Sequence, residues 1–335
     1  MNQLIVDTQG AQLRQTGEQL IVQRGEETLQ TVPLGPLQQV ILMGRGVSAT
    51  TPLLYDLVRR GIDVIYQSQR GRFGFRLVGP DSKHSALRVA QVQAAANPAH
   101  ALALARATVA GKLHNQAVIL RRYGAADQGR GQAALQTIGT QIGQARQAAN
   151  LDALRGHEGS GAAAYFAAWP ILFDAQRWGF EGRAYYPPPD PVNAMLSFGY
   201  TLLLNDMTGA LHRIGLDPAI GFFHTIDYGR PSLALDLEEE FRPIIVDTMV
   251  LSLLRQDMLR PSDFTRSEDG RRPAIMTDDA RRFFIARYEE RMALRVHHPA
   301  WEQSLSFRQC IERQVQHMAR CIQGRDTAYQ PLMLK

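Results

Sequence analysis

The spacing of apolar positions along the chain changes near residue 80. Before that point they come in short β-rich runs, Leu4–Val6, Leu20–Gln23, Thr28–Val32 and Val40–Met43, separated by Gly10, Gly17, Gly25 and Pro33. Runs this short between turn formers predict strands. One helix interrupts them. Thr51–Arg60 places Leu53, Leu54, Leu57 and Val58 on a single stripe, with Ser48 positioned to cap it and Gly61 to end it. Asp63–Gln67 and Phe73–Val78 predict two further strands.

Gly79–Pro98 reads as a linker, polar at first and helical in part. Beyond it the period lengthens to that of helices, predicted over His100–Tyr123, Gln132–Asn150, Glu158–Phe173, Pro191–Ile214, Asp236–Arg255, Asp278–Val296 and Trp301–Gln323. Alanine runs around Ala101–Ala110 and Ala162–Ala168 allow close helix packing. The segment Arg183–Pro191, with PPPDP inside it, predicts a rigid extended connector, and Ser262–Asp279 a polar, mobile one. The expected fold class is α+β: a small β-rich domain with one helix over residues 1–79, a linker over 80–98, and a larger all-α domain over 99–335.

Composition changes this picture little. No uncharged apolar run reaches the roughly 18 residues of a membrane span, and the start MNQLIVDTQG lacks the order of a secretory signal. A cytoplasmic protein with no membrane contact is expected. Cys310 and Cys321 lie on one predicted helix, about 16 Å apart at 1.5 Å per residue, too far to bridge. Charge is more informative. Net charge is +5, and because Lys83, Lys112 and Lys335 are the lysines, 34 of 37 basic residues are arginine. Arginine grips phosphate bidentately, so the bias favours an anionic partner; a GC-rich genome would produce the same bias. The arginine pairs are scattered, as on a folded binding surface.

Two stretches carry candidate chemistry, RGHEGSGAAAYF (155–166) and GFFHTIDYGRPSLALDLEEEFRP (221–243). Glu158, His224 and Glu239 offer two carboxylates and an imidazole, a donor set for a hard divalent cation and phosphodiester chemistry. They come from segments about 65 and 15 residues apart, so only a tertiary fold could unite them. Each has a plainer reading. Glu158 is also a first-turn acid complementing a helix dipole, and His224, after Phe222 and Phe223, a partly buried core residue. Asp236 and Glu239 have the i, i+3 spacing of a capping box, which also sets both carboxylates on one helical face. Glu238 and Glu240 are expected to face solvent. His297, His298 and His317 with Cys321 do not match a structural zinc spacing. P-loop, dinucleotide-binding and GxSxG motifs are absent.

Taken together, the segments resemble the CRISPR-associated protein one family, the metal-dependent DNA endonuclease and integrase of spacer acquisition. RGHEG resembles its glutamate motif, DPVNAMLSFGYTLL its central helix, and GFFHTIDYGRPSLALDLEEEFRP its histidine and acidic motifs. The residues from Val32 to Gly79 follow its strand–helix–strand order. The resemblance implies metal ligands at Glu158, His224 and Glu239, binding Mg²⁺ or Mn²⁺, with Asp236 as a supporting or alternate ligand. It also implies a dimerising β-rich domain, a helical catalytic domain, and a homodimer that joins CRISPR-associated protein two. The expected reaction is attack of a spacer 3′-hydroxyl on a repeat phosphodiester in double-stranded DNA. Arg230 and Arg242, inside the motif, are candidate DNA contacts, or else salt-bridge partners of Glu238 or Glu240. A structure-specific nuclease acting on branched DNA would use the same site, and a non-catalytic DNA scaffold would need none of it.

Overall fold

The computed structural model describes residues 3–68, 73–79, 84–125, 129–184, 187–265 and 274–335. The chain divides into two units, Met1–Lys83 and His84–Lys335. The first holds β1 (Gln3–Val6), β2 (Gln12–Thr16), β3 (Gln19–Arg24), β4 (Glu27–Pro33), β5 (Gln39–Met43), β6 (Ser48–Ala49), α1 (Thr51–Arg59), β7 (Asp63–Gln67) and β8 (Phe73–Leu77). They form two four-stranded sheets, ordered β1-β5-β7-β8 and β4-β3-β2-β6. In the first sheet β5 pairs in parallel with β1 and β7, and all five of its residues are buried. That explains its unbroken apolar run, the signature of a strand covered on both faces. Strand β2 was not predicted. Within QLRQT only Leu13 is apolar, yet it is fully buried, and one inward residue anchors the strand. Leu53 and Leu57 of α1 join the same core. Ser48 does not cap α1: it lies in β6, the N-cap is Thr50 without a side-chain bond, and Pro52 occupies the first turn.

The second unit runs α2 (Ser85–Ala96), α3 (Pro98–Arg122), α4 (Gly129–Gln147), α5 (Leu151–Ala167), the short α6 (Ala175–Trp178), α7 (Pro191–Ile214), α8 (Ser232–Arg242) and α9 (Thr248–Arg255). It continues with β9 (Phe264–Thr265), β10 (Ile275–Met276), α10 (Asp278–Ala293), β11 (Arg295–His298), β12 (Gln303–Ser306) and α11 (Phe307–Ile322). Most of the segment expected as a linker is thus helix α2, which buries Leu87, Gln91 and Ala94; residues 80–83 lie outside those described. Of the 262–279 stretch, β9, β10 and the start of α10 are ordered pairs and turns, while 266–273 also lie outside. The predicted last helix begins six residues late, because Arg295–Ser306 forms a β11–β12 hairpin and Ser306 with Gln309 makes a capping box. Cys310 and Cys321 are free and buried on α11. Among the described residues no helix is long and apolar enough to cross a membrane.

Helix α3 is the axis of this unit, buried along most of its 25 residues. Small side chains set how near its neighbours come. A Cβ on Gly161 of α5 would lie 2.5 Å from Leu113 Cδ2, and one on Gly111 would lie 2.5 Å from Pro331 Cβ. Helix α8 runs into a π-helical turn, Pro243–Asp247, before α9. Proline cannot donate the backbone bond that a continuous helix needs at that position, and the widened turn absorbs the loss.

Candidate metal centre

Helix α5 starts at Leu151, where the Asn150 side chain accepts from the Ala153 N–H at 2.9 Å. Glu158 therefore sits two turns inside the helix, and the first-turn reading of it does not hold. The close approach permitted by Gly161 turns Glu158 toward α3. There its carboxylate pairs with the ammonium of Lys112. The same ammonium lies 2.6 Å from Glu239 Oε2, from α8.

Helix α8 starts at Ser232, behind Pro231, so Asp236 is an interior residue and no capping box forms with Glu239. The carboxylate of Asp236 is claimed by the loop before the helix. Its Oδ2 accepts from the Phe222 and Phe223 N–H groups at 2.6 and 3.0 Å, and its Oδ1 from the His224 N–H at 2.8 Å. His224 Nδ1 makes a fourth contact with Oδ1, also at 2.8 Å. Four donors on one carboxylate leave it no lone pair directed at a cation. The arrangement instead fixes the proton on Nδ1 and turns Nε2 toward Glu239 Oε1, 4.0 Å away. Gly221 makes the loop possible, since a Cβ there would lie 2.8 Å from Asp236 Oδ2.

The structure thus links Glu158 of α5 to Glu239 of α8 through Lys112, sets His224 Nε2 of the 221–231 loop 4.0 Å from Glu239, and places Asp236 behind the histidine. Glu158 is the most exposed of the three acids, with 20% of its side chain accessible against 4% for Glu239 and 3% for Asp236. The centre opens to solvent on the α5 side. Burial works against the Glu239 charge, but Arg242, Lys112 and His224 outweigh it and hold the carboxyl below its usual pKa. Two carboxylates and an imidazole nitrogen are donors that a hard divalent cation accepts, so the donor set fits Mg²⁺ or Mn²⁺.

The tightest acid–histidine–thiol cluster among the described residues lies elsewhere, at His317, Cys321 and Asp326. Its donors are already occupied. Arg320 grips Asp326 at 2.7 and 2.8 Å, His317 Nδ1 meets Asp326 at 3.0 Å, and His317 Nε2 accepts from the Gln330 N–H. Burial, aided by Asp326, pushes the Cys321 thiol up to about 11. With Asp326 shared between Arg320 and His317, both nitrogens of His317 engaged and the thiol held in its neutral form, this cluster is a structural ion pair.

The other acids of the motif are buried, contrary to expectation. Glu240 accepts from Tyr329 Oη at 2.5 Å and the Leu332 N–H at 2.6 Å, because the end of the chain folds back over α8. Glu238 takes Arg242 Nη2 at 3.0 Å, and burial pushes it up to about 7. Arg242 also donates to Glu239 Oε1 at 2.7 Å and lies over the Tyr200 ring, 4.8 Å from its centre. Its guanidinium is engaged by the acids, as the salt-bridge alternative supposed. Arg230 donates to Thr225 Oγ1 at 3.3 Å within the loop. Sequence reading missed Lys112, which sits in no local motif, and Arg155. Arg155 lies one turn before Glu158 and donates to the Phe223 carbonyl at 2.9 Å, tying α5 to the histidine loop.

The family model described as CRISPR associated protein Cas1 matches residues 4–290. The chain is 35% identical over 347 residues to CRISPR-associated endonuclease Cas1 2 of Rhodospirillum rubrum, covering 100% of this chain and 99% of that one. It is also 35% identical over 334 residues to a CRISPR-associated exonuclease Cas4/endonuclease Cas1 fusion of Geobacter sulfurreducens, covering 97% of this chain and 59% of the fusion. Among solved structures, a CAS1 protein from Thermotoga maritima superposes with a TM-score of 0.83 at 20% identity, covering 98% of this chain and 99% of that one. A casposase bound to integration product gives 0.84 at 20% identity, covering 100% and 95%. At that identity the likeness is one of fold.

Proposed function

The chain belongs to the Cas1 family of CRISPR-associated endonucleases, and from that premise we propose that it is a metal-dependent DNA endonuclease and integrase. In this reading it inserts spacer DNA into a CRISPR array, as a homodimer assembled with Cas2. The observation that carries the reading is the convergence of the Glu158 and Glu239 carboxylates on one cationic nitrogen, with the Asp236-held imidazole of His224 beside them. A Mg²⁺ or Mn²⁺ ion held by Glu158, His224 and Glu239 would supply Lewis-acid charge to a scissile phosphate and to the attacking 3′-hydroxyl.

The residues of the chain prepare that site. Asp236 keeps the histidine proton at Nδ1, so Nε2 offers its lone pair. Arg242 and Lys112 keep Glu239 ionised despite burial. Arg155 holds the loop to α5, so the histidine and Glu158 move as one body. A structure-specific nuclease would share all of this, and the substrate separates the two readings.

The test incubates purified protein, with and without Cas2, with a labelled spacer duplex and a plasmid carrying a repeat. Metal-dependent joined product is expected, abolished in Glu158→Ala while DNA binding persists. Turnover of branched junctions without Cas2 and without joining would favour the nuclease, and joining that survives EDTA would overturn the metal reading.

A further inference from the structure

We propose that Lys112 is the resident counter-cation of the centre, and that its ammonium must leave before a divalent ion can take both Glu158 and Glu239. The inference rests on the metal reading above and concerns how the site exists without the ion. Two carboxylates this close, one of them nearly inaccessible, repel each other unless a cation lies between them. Lys112 provides it: its side chain is 9% exposed and its nitrogen contacts both acids. Burial disfavours that ammonium, but Glu239 and then Glu158 outweigh the penalty. The occupant of the space between the acids is therefore a held charge, in the position a bridging ion needs.

The choice of residue supports displacement. This chain uses arginine at 34 of its 37 basic positions, yet lysine stands here. An ammonium is a compact point charge on a flexible four-carbon stem, whereas a guanidinium is a rigid planar fork. The backbone on either side is closely packed: a Cβ on Gly111 would lie 2.5 Å from Pro331 Cβ, and one on Gly161 would lie 2.5 Å from Leu113 Cδ2. The flexible side chain is therefore the part that moves, toward the partly accessible side of Glu158. Exchange then replaces one positive charge by two at the same pair of carboxylates.

The experiment measures Mn²⁺ binding without DNA, from the electron paramagnetic resonance signal of the free ion, for the full chain and for Lys112→Met and Glu239→Gln. Removing a competitor that occupies the ligands most of the time should tighten Mn²⁺ binding about tenfold or more in Lys112→Met. Glu239→Gln should lose it. If Glu239→Gln binds as the unaltered chain does, the metal reading itself fails. If Glu239→Gln loses binding while Lys112→Met binds equally or more weakly, the displacement proposal alone is overturned. Should Lys112→Met not fold, acetylation of the unaltered chain decides: Lys112 modification should rise several-fold when Mn²⁺ is added, with the exposed Lys335 as internal reference. An unchanged ratio would overturn the proposal.

Discussion

The role assigned to Asp236 can be tested by Asp236→Asn, which keeps shape and removes charge. The native carboxylate accepts from three backbone N–H groups and the His224 ring, all within 2.6–3.0 Å. Its oxygens serve two donors each, so an amide NH₂ in place of Oδ2 strands the Phe222 and Phe223 N–H groups, and in place of Oδ1 strands the His224 N–H and drives the ring to its other tautomer. A buried donor without a partner costs about 1–3 kcal/mol, so the variant should lose about 1–6 kcal/mol. Total stability for a domain is about 5–15 kcal/mol, so the variant should still fold. Urea unfolding in EDTA, followed by circular dichroism, reads this loss. Mn²⁺ titration reads the second consequence. Loss of a group that orients a ligand weakens metal binding by about 10- to 100-fold, whereas Glu239→Gln should remove it. An Asp236→Asn protein as stable as the original, yet as devoid of Mn²⁺ as Glu239→Gln, would refute the orienting role and make Asp236 a ligand.

Three other outcomes follow from the packing. Asp247 accepts from Tyr165 Oη at 3.0 Å and Tyr200 Oη at 2.5 Å, and burial pushes its carboxyl up to about 6 from 3.8. The folded state therefore binds this proton more tightly than the unfolded one. Its stabilising effect is complete below about pH 4 and lost as pH rises through 6, at most about 3 kcal/mol; melting of Asp247→Asn should show a flatter pH dependence, and an unchanged slope would rule the group out. Gly161→Val should separate α3 from α5, costing about 1–3 kcal/mol by overpacking and weakening Mn²⁺ binding, since the same contact sets Glu158 against Lys112. Asn115→Ala removes donations to the Glu240 and Leu332 carbonyls and the acceptor of the Leu334 N–H, at 2.8–2.9 Å. Limited proteolysis should then release the C-terminal residues faster, and unaltered protection would count against the clasp.

What was legible in the sequence is what local signals encode. Helix α7 was predicted to the residue because Asp190 accepts from the Asn193 N–H, Pro191 opens the first turn and Gly215 closes the helix in a left-handed conformation. The three candidate ligands stood out because each lies in a stretch with glycine or proline close by, beside an otherwise apolar helical sequence. Asp236 misled, because its spacing to Glu239 imitates a helix start, while the true start lies a turn earlier behind Pro231. Its carboxylate is drawn instead to three backbone N–H groups in another segment, a demand that i, i+3 spacing cannot reveal. Glu240 misled for the same reason, since Tyr329 and Leu332 reach it from about 90 residues away. Lys112 was invisible: one lysine on an alanine-rich helix gains meaning only when α5 and α8 bring their acids to it.

Three consecutive buried glutamates are costly unless each meets a different partner, and the helix provides that by turning about 100° per residue. Glu238 meets Arg242, Glu239 meets the ammonium of α3, and Glu240 meets the folded-back end of the chain. The third contact is the reason the second is stable. Asn115 of α3 and Glu240 of α8 bind the same returning segment, through Leu332 on both sides. The two helices carrying Lys112 and Glu239 are therefore clamped within one turn of the centre, from the side away from solvent. With the helices held there and packed closely at Gly161, the displacement proposed for Lys112 calls for side-chain movement alone, on the partly accessible side of Glu158. A site built this way can hold a cation of its own making and still surrender it without moving a helix.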